Sequence, residues 1–298
     1  MCGVDPLHPP LPAGPAYRAR AQTLAFVAAL KAHDYAAAAS LLASCATLDL
    51  ERFVDTPGLL TPLLWTCKAA NIRPRIAAWS DAAEMINALI VRGADVAVRD
   101  KDGHGPLFHA SLCDSDIITS LLDKGAKEPG ALVKLADVCN GTSGGPAHGH
   151  EAILTRCIAE WDLSGLSAST LSSVLVLCCR SGYDAPAAAL IAKGVSWKVD
   201  AAATPLLHWA AASGCVAAAT ALLDKGADVN AVNSVDQSAL HLACVRRNAA
   251  VALLLVQRGA AHDCRDAVFR LTPKQLCHDL SGDEFEGMKE VVEAMESD

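Results

Sequence analysis

The sequence lacks most of the pieces that chemistry or membranes would require. No run of about 18 apolar residues occurs, so a membrane-spanning helix is not expected. Residues 1–16 (MCGVDPLHPPLPAGPA) are rich in proline and have no basic segment leading into an apolar one, which excludes a secretory leader of the usual kind. Cysteine is plentiful at 12, yet no two cysteines stand in C-x-x-C spacing. That pattern fits free thiols in a reduced, cytoplasmic or nuclear setting better than a disulfide framework. Excess positive charge is also missing. The net charge is −8, and eight acidic residues with a single lysine fall in 279–298, so the rest of the chain is almost balanced. This excludes the basic patch expected of a nucleic-acid binder. Serine-nucleophile, phosphate-loop, dinucleotide and zinc-protease motifs are absent, so no enzyme is expected. Aromatics contribute only 4%.

What is present is alanine and leucine, small enough for helices to approach closely and good at forming them. Two stretches, "PLLHWAAASG" at 205–214 and "SALHLACVRR" at 238–247, place His208 and His241 33 residues apart. The match continues beyond the histidines. Leu222-Leu223 pairs with Leu255-Val256, and "DKGADVN" at 224–230 pairs with "QRGAAHD" at 257–263, with Gly226 and Gly259 again 33 apart. Each unit reads as a short helix, a tight turn, a second helix closed by glycine in a left-handed conformation, and an extended connection.

These residues resemble the ankyrin repeat family, and the resemblance spreads along the chain. "TPLLWTCKAA" (61–70), "DKDGHGPLFHA" (100–110), "GHEAILTRCI" (149–158), "VLVLCCRSGY" (174–183) and "TPKQLC" (272–277) open or continue further units, and "FVAALKAHDYAAAASLLAS" (26–44) looks like a capping helix pair. The resemblance implies an all-α ankyrin-repeat solenoid of about eight helix pairs: a capping pair, six repeats and a degenerate C-terminal cap, with hairpin-like connections. Residues 1–19 are expected to be a disordered Pro-rich leader and 20–298 a single domain. The period is interrupted at 71–80 (NIRPRIAAWS) and 141–148 (GTSGGPAH), and Trp161 replaces a closing glycine.

The resemblance implies that His208 and His241 are struts, each bonding a hydroxyl and neighbouring backbone. Ser238 offers that hydroxyl to His241, but Pro205 stands in the same place before His208. Cys67, Cys178, Cys179, Cys244 and Cys277 fall where the family has alanines, so they are expected as small buried hydrophobes. Cys139, His148, His150 and Cys157 form the most metal-like grouping, although His150 is also the ordinary turn histidine of a repeat. No cofactor or metal is expected. Trp197 aligns with an inward-packing valine of the family.

Function is therefore expected on the surface. A non-catalytic scaffold or adaptor would bind another protein through its concave face, its connection tips and the 71–80 insertion. Nucleic acid and membrane are not expected as partners, and the chain is expected to be a monomer. Insertions in repeats are often placed on the binding face, and Trp and Arg are the common anchors of interfaces. The candidate contacts are Arg73, Arg75 and Trp79 in the insertion. At the connection tips they are Arg99, Lys101, Asp102, Asn233, Ser234, Asp236, Arg265 and Asp266. At the ends of first helices they are Arg180, Arg246 and Arg247. Two alternatives stand beside this: a metal- or redox-responsive protein using the Cys/His groups, and a substrate-recognition subunit of a ubiquitin ligase-type complex.

Overall fold

The computed structural model describes residues 15–51, 54, 58–72, 79–111, 113, 115–137, 150–198, 205–268, 270–280 and 286–297. Among them the chain is built from helices, and one isolated antiparallel bridge joins Val232 to Ser238. It divides into two compact units, Met1–Glu128 and Pro129–Asp298.

The first unit holds α1 (Pro15–Lys31), α2 (Tyr35–Ser44), α3 (Pro62–Ile72), α4 (Trp79–Val91), α5 (Pro106–His109) and α6 (Ser115–Asp123). Helix α1 begins inside the stretch assigned to the leader; residues 1–14 lie outside the described residues. The second unit starts with a 3-10 turn, Pro129–Ala131, followed by α7 (Leu132–Asp137), α8 (His150–Glu160), α9 (Ala168–Ser181) and α10 (Asp184–Ala192). It continues with α11 (Leu206–Ser213), α12 (Val216–Asp224), α13 (Ala239–Val245), α14 (Ala249–Gln257), α15 (Pro273–Leu280) and α16 (Glu286–Ser297). Among the described residues, sixteen α-helices in eight consecutive pairs match the expected number. The first helices α7, α9, α11, α13 and α15 pack side by side in chain order, as do α8, α10, α12, α14 and α16.

Alternation of small and large apolar residues explains the packing. In α11, Leu206, Leu207, Ala210 and Ala211 are buried, and the aligned α13 buries Ala239, Leu240, Ala243 and Cys244. Alanine at the point of closest approach lets a neighbouring first helix come near, while leucine fills the space between the two helix layers. The second helices close as expected: Gly226 and Gly259 both adopt positive φ, at 86° and 81°. Trp161, standing in for that glycine after α8, instead continues the helical turn by donating its N–H to Cys157 O, and it is buried.

Bonds between repeats hold each unit in register. Asp184, at the head of α10, accepts hydrogen bonds from Ala217 N (2.9 Å) and Ala218 N (2.7 Å) in the first turn of α12. Glu151 does the same one repeat earlier, accepting from Ala185 N at 3.2 Å. Asn248 donates to Ala211 O and Ala212 O at the end of α11. Each helix end would otherwise leave unpaired amides or carbonyls, and here the neighbouring repeat supplies the partner.

The two histidines behave as struts. His241 Nδ1 lies 2.8 Å from Ser238 Oγ, and its Nε2 meets Cys264 O at 3.1 Å. His208 Nε2 meets Gln237 O at 2.7 Å, but its buried Nδ1 has no hydrogen-bond partner. The missing hydroxyl at Pro205 is the reason. Thr61 is the mirror case: its buried Oγ1 is unpaired because Leu64 occupies the histidine position.

One expectation about the cysteines is overturned. Cys244 and Cys277 are buried as expected, but they are joined as a disulfide between α13 and α15, with a Cα–Cα distance of 5.3 Å. They occupy the same position in consecutive repeats, 33 residues apart. Small residues at that position bring the two helix backbones within bonding reach, which falls inside the usual Cα separation for a disulfide. Cys45, Cys67, Cys157, Cys178, Cys179, Cys215 and Cys264 are free thiols.

Candidate functional site

In the second unit, a surface emerges from the same 33-residue repetition. Val176 of α9, Trp209 of α11 and Leu242 of α13 occupy equivalent positions and are each half-buried. One helical turn further on come Arg180, Ser213 and Arg246, of which the two arginines are exposed and Ser213 half-buried. Residues four apart on a helix share a face. The three first helices therefore present an apolar row beside a row that carries positive charge at both ends. Ser213 Oγ donates to Arg180 O, locking α11 to α9 along this row. Arg180 was expected from the sequence, as was Arg246; Val176, Trp209 and Leu242 were not. Their signal was present, since each lies four residues before a position already singled out or its 33-residue equivalent.

The connections beside these helices form a second part of the surface. Residue Asn233 accepts from Val235 N and Gln237 N, both at 3.0 Å, and so shapes the turn rather than projecting from it. Ser234 and Asp236 are exposed at the tip, and Asp236 takes a positive φ of 56°. Ala267 N donates to Val235 O, tying this tip to the next connection. Three exposed valines mark the pair of tips: Val232 at 49%, Val235 at 37% and Val268 at 54% exposure.

Asp266 corrects the sequence expectation. It is buried, not presented: its carboxylate accepts from Gln237 Nε2 at 3.0 Å and from Leu271 N at 3.3 Å. Arg265 is exposed beside it. Arg247 is exposed and left-handed at φ 60°, in the place where α11 ends on Gly214. Trp197 is half-buried rather than core, with the Lys198 ammonium 5.6 Å from its ring centroid.

In the first unit, Arg99 is largely committed to structure. Its guanidinium donates to Ala97 O, Val98 O and Lys127 O. Lys101 and Asp102 are exposed at that connection's tip. Behind it lies a buried cap that no sequence motif signalled: the Glu128 carboxylate accepts from Gly105 N and Phe108 N at the start of the four-residue helix α5. A Cβ at Gly105 would come within 2.9 Å of Glu128 Oε2 and closer still to Arg99 Nη1, so both side-chain ends would have to shift to admit it. Arg73 and Arg75 lie outside the described residues; Trp79 begins α4, with its side chain also outside them.

Asp100, Asp102 and His104 approach one another closely enough to suggest a cation site. The buried carboxylate is already engaged by three donors, however. Asp100 Oδ1 accepts from Asp102 N and His104 N, and Oδ2 accepts from His109 Nε2 at 2.9 Å. Burial alone would raise the Asp100 pKa, but the His104 amide, the His109 ring and the Asp102 amide outweigh it and lower the value. The His104 ring stacks on Phe108 at 3.6 Å, so this histidine braces the turn. Of the Cys139, His148, His150 and Cys157 grouping, Cys139 and His148 lie outside the described residues, while His150 and Cys157 are buried. Burial pushes the thiols of Cys157, Cys178 and Cys215 up to about 12, and that of Cys179 higher still. Thiols so held are poor nucleophiles near neutral pH.

Residues 175–266 match the family model described as ankyrin repeats, three copies. Among solved structures, the crystal structure of the human ASB11 ankyrin repeat domain is similar at 18% identity, covering 90% of this chain and 96% of that one, with a TM-score of 0.37. No curated protein matches. Among the described residues no helix is long and apolar enough to cross a membrane.

Proposed function

We propose that this ankyrin-repeat protein is a non-catalytic interaction module that grips a partner protein across the first helices and connection tips of residues 176–268. Ankyrin repeat domains are generally protein-interaction modules and typically non-catalytic. The observation that carries the reading is the pair of parallel rows: Val176, Trp209 and Leu242 half-buried in line, flanked by exposed Arg180 and Arg246. An apolar row with arginines at its margin suits a partner segment that presents apolar side chains accompanied by carboxylates. Trp and Arg are among the side chains that most often carry interface energy. The exposed Val232, Val235 and Val268 extend the apolar contact beyond the helices.

The test is affinity capture with the full chain, followed by titration of the recovered partner. Trp209→Ala should weaken binding by about 30-fold, the equivalent of a ~2 kcal/mol anchor. Arg246→Glu should weaken it further for an acidic partner, and both variants should keep the wild-type helical circular dichroism. Unchanged affinity in folded variants overturns the assignment of this face. The 71–80 insertion is proposed as a second contact, on the strength of its composition alone. Combined Arg73→Ala, Arg75→Ala and Trp79→Ala substitution should then weaken the same partner independently of the helix-face variants.

A further inference from the structure

The Cys244–Cys277 bond lies where no catalytic or binding role requires it, and it joins two elements that differ in how they are held. Helix α13 is packed between α11 and α15 and against α14; α15 packs on α13 and α16. Helix α16 packs in turn on α14, so the pair is held to the preceding repeat through both helices. Pro273 and Leu276 of α15 are buried, Met288, Val291 and Met295 of α16 are buried, and an exposed Lys274–Glu296 ion pair at 3.5 Å joins the two helices. Exposed ion pairs of this kind contribute little. The two sulfur-bearing side chains are both fully buried, at 0% exposure. A small-molecule thiol or disulfide therefore reaches them only when α15 lifts from α13.

We propose that Cys244 and Cys277 form a redox-controlled clasp that locks the α15–α16 helix pair onto α13 and α14 when oxidised and releases it to open transiently when reduced. This reading stands apart from the partner-binding face and does not depend on it. Closure is a thiol–disulfide exchange with a low-molecular-weight disulfide such as oxidised glutathione. One protein thiolate attacks the glutathione disulfide and expels a glutathione thiolate. The second protein thiolate then attacks the mixed disulfide and expels the other. The two protein thiols lose two electrons and two protons in forming the S–S bond, and one oxidised glutathione becomes two reduced molecules. Opening is the reverse.

Position explains why this pair closes while Cys178, Cys179 and Cys215 remain thiols. Cys178 and Cys179 are neighbours on one helix, and Cys215 lies in a turn where its Sγ contacts Cys179 O at 3.9 Å. Only Cys244 and Cys277, among the described residues, are joined at equivalent positions of consecutive first helices.

The experiment equilibrates the full-length protein in reduced and oxidised glutathione at a series of ratios, then quenches, unfolds and alkylates it for peptide mapping. The Cys244 and Cys277 peptides should be covalently linked at oxidising ratios and fully alkylated at reducing ones. Amide hydrogen exchange on the same samples supplies the second readout. Exchange across 273–297 should be about 30- to 1,000-fold faster in the reduced form, the range expected when a crosslink of ordinary strength is removed. Cys277→Ala and Cys244→Ala should each show the fast exchange at every ratio, since alanine suits this position in a first helix. Full alkylation of both cysteines at all ratios overturns the clasp. So does equal protection of 273–297 in the linked, reduced and alanine forms.

Discussion

At the scale of single residues, the histidine struts show how one hydroxyl separates a tied side chain from a half-tied one. His241 has Ser238 on one ring nitrogen and Cys264 O on the other, whereas His208 has only Gln237 O. Pro205 sits at φ −53° and ψ 145°, close to the −82° and 166° of Ser238, so a threonine fits that backbone. Pro205→Thr should give His208 Nδ1 its partner and show a coupling of about 1 kcal/mol with His208 in a double-mutant cycle read by urea unfolding. A coupling of zero would mean that the hydroxyl does not reach the ring. This difference was legible beforehand, because it depends only on which residue stands three places before the histidine. The burial of Asp266 was not legible. A carboxylate in a connection looks like any solvated turn until Gln237 from the previous connection is seen donating to it across 29 residues.

At the scale of elements, helix ends decide more than helix interiors. Helix α12 has Cys215 at its N-cap with no side-chain capping bond, and Asp184 at the head of α10 in the preceding repeat takes that role. Asp184→Ala should therefore cost about 1 kcal/mol, the usual loss when an N-terminal cap is removed, although the residue belongs to α10. Asp184→Asn, which keeps an acceptor, should recover most of it. Thermal or urea unfolding of the three proteins distinguishes this from a surface carboxylate of no consequence, for which all three would unfold together. The eight helix pairs were legible in outline because apolar spacing and closing glycines recur. The four-residue length of α5 was not, since Glu128 replaces the local capping pattern with a carboxylate 20 or more residues away. The disulfide was equally hidden: alanine-like spacing reveals burial, but not which two thiols share one layer.

At the scale of the whole molecule, three buried histidines make stability depend on pH. Burial lowers the pKa of His109, His208 and His241 in the folded chain below the ordinary value of 6.5. Below about pH 6.5 the unfolded chain takes up protons that the folded chain refuses. This stability is thus fully present above 6.5 and is lost progressively as pH falls from there towards the lowered folded values. The urea midpoint should drop between about pH 7.5 and about pH 5.5, and His208→Gln should make the drop smaller. Equal midpoints at the two pH values would show the rings to be protonated in place. The caps supplied by neighbours have a different consequence at this scale, for how such a chain can lengthen or shorten. Glu151 serves Ala185 and Asp184 serves Ala217 and Ala218, so the piece that can be cut out cleanly does not coincide with a helix pair. Excising 184–216 would bring Ala218 to the place of Ala185, where Glu151 already waits with an acceptor. The natural unit of exchange in this chain therefore begins at a capping carboxylate and ends just before the amides that the carboxylate serves.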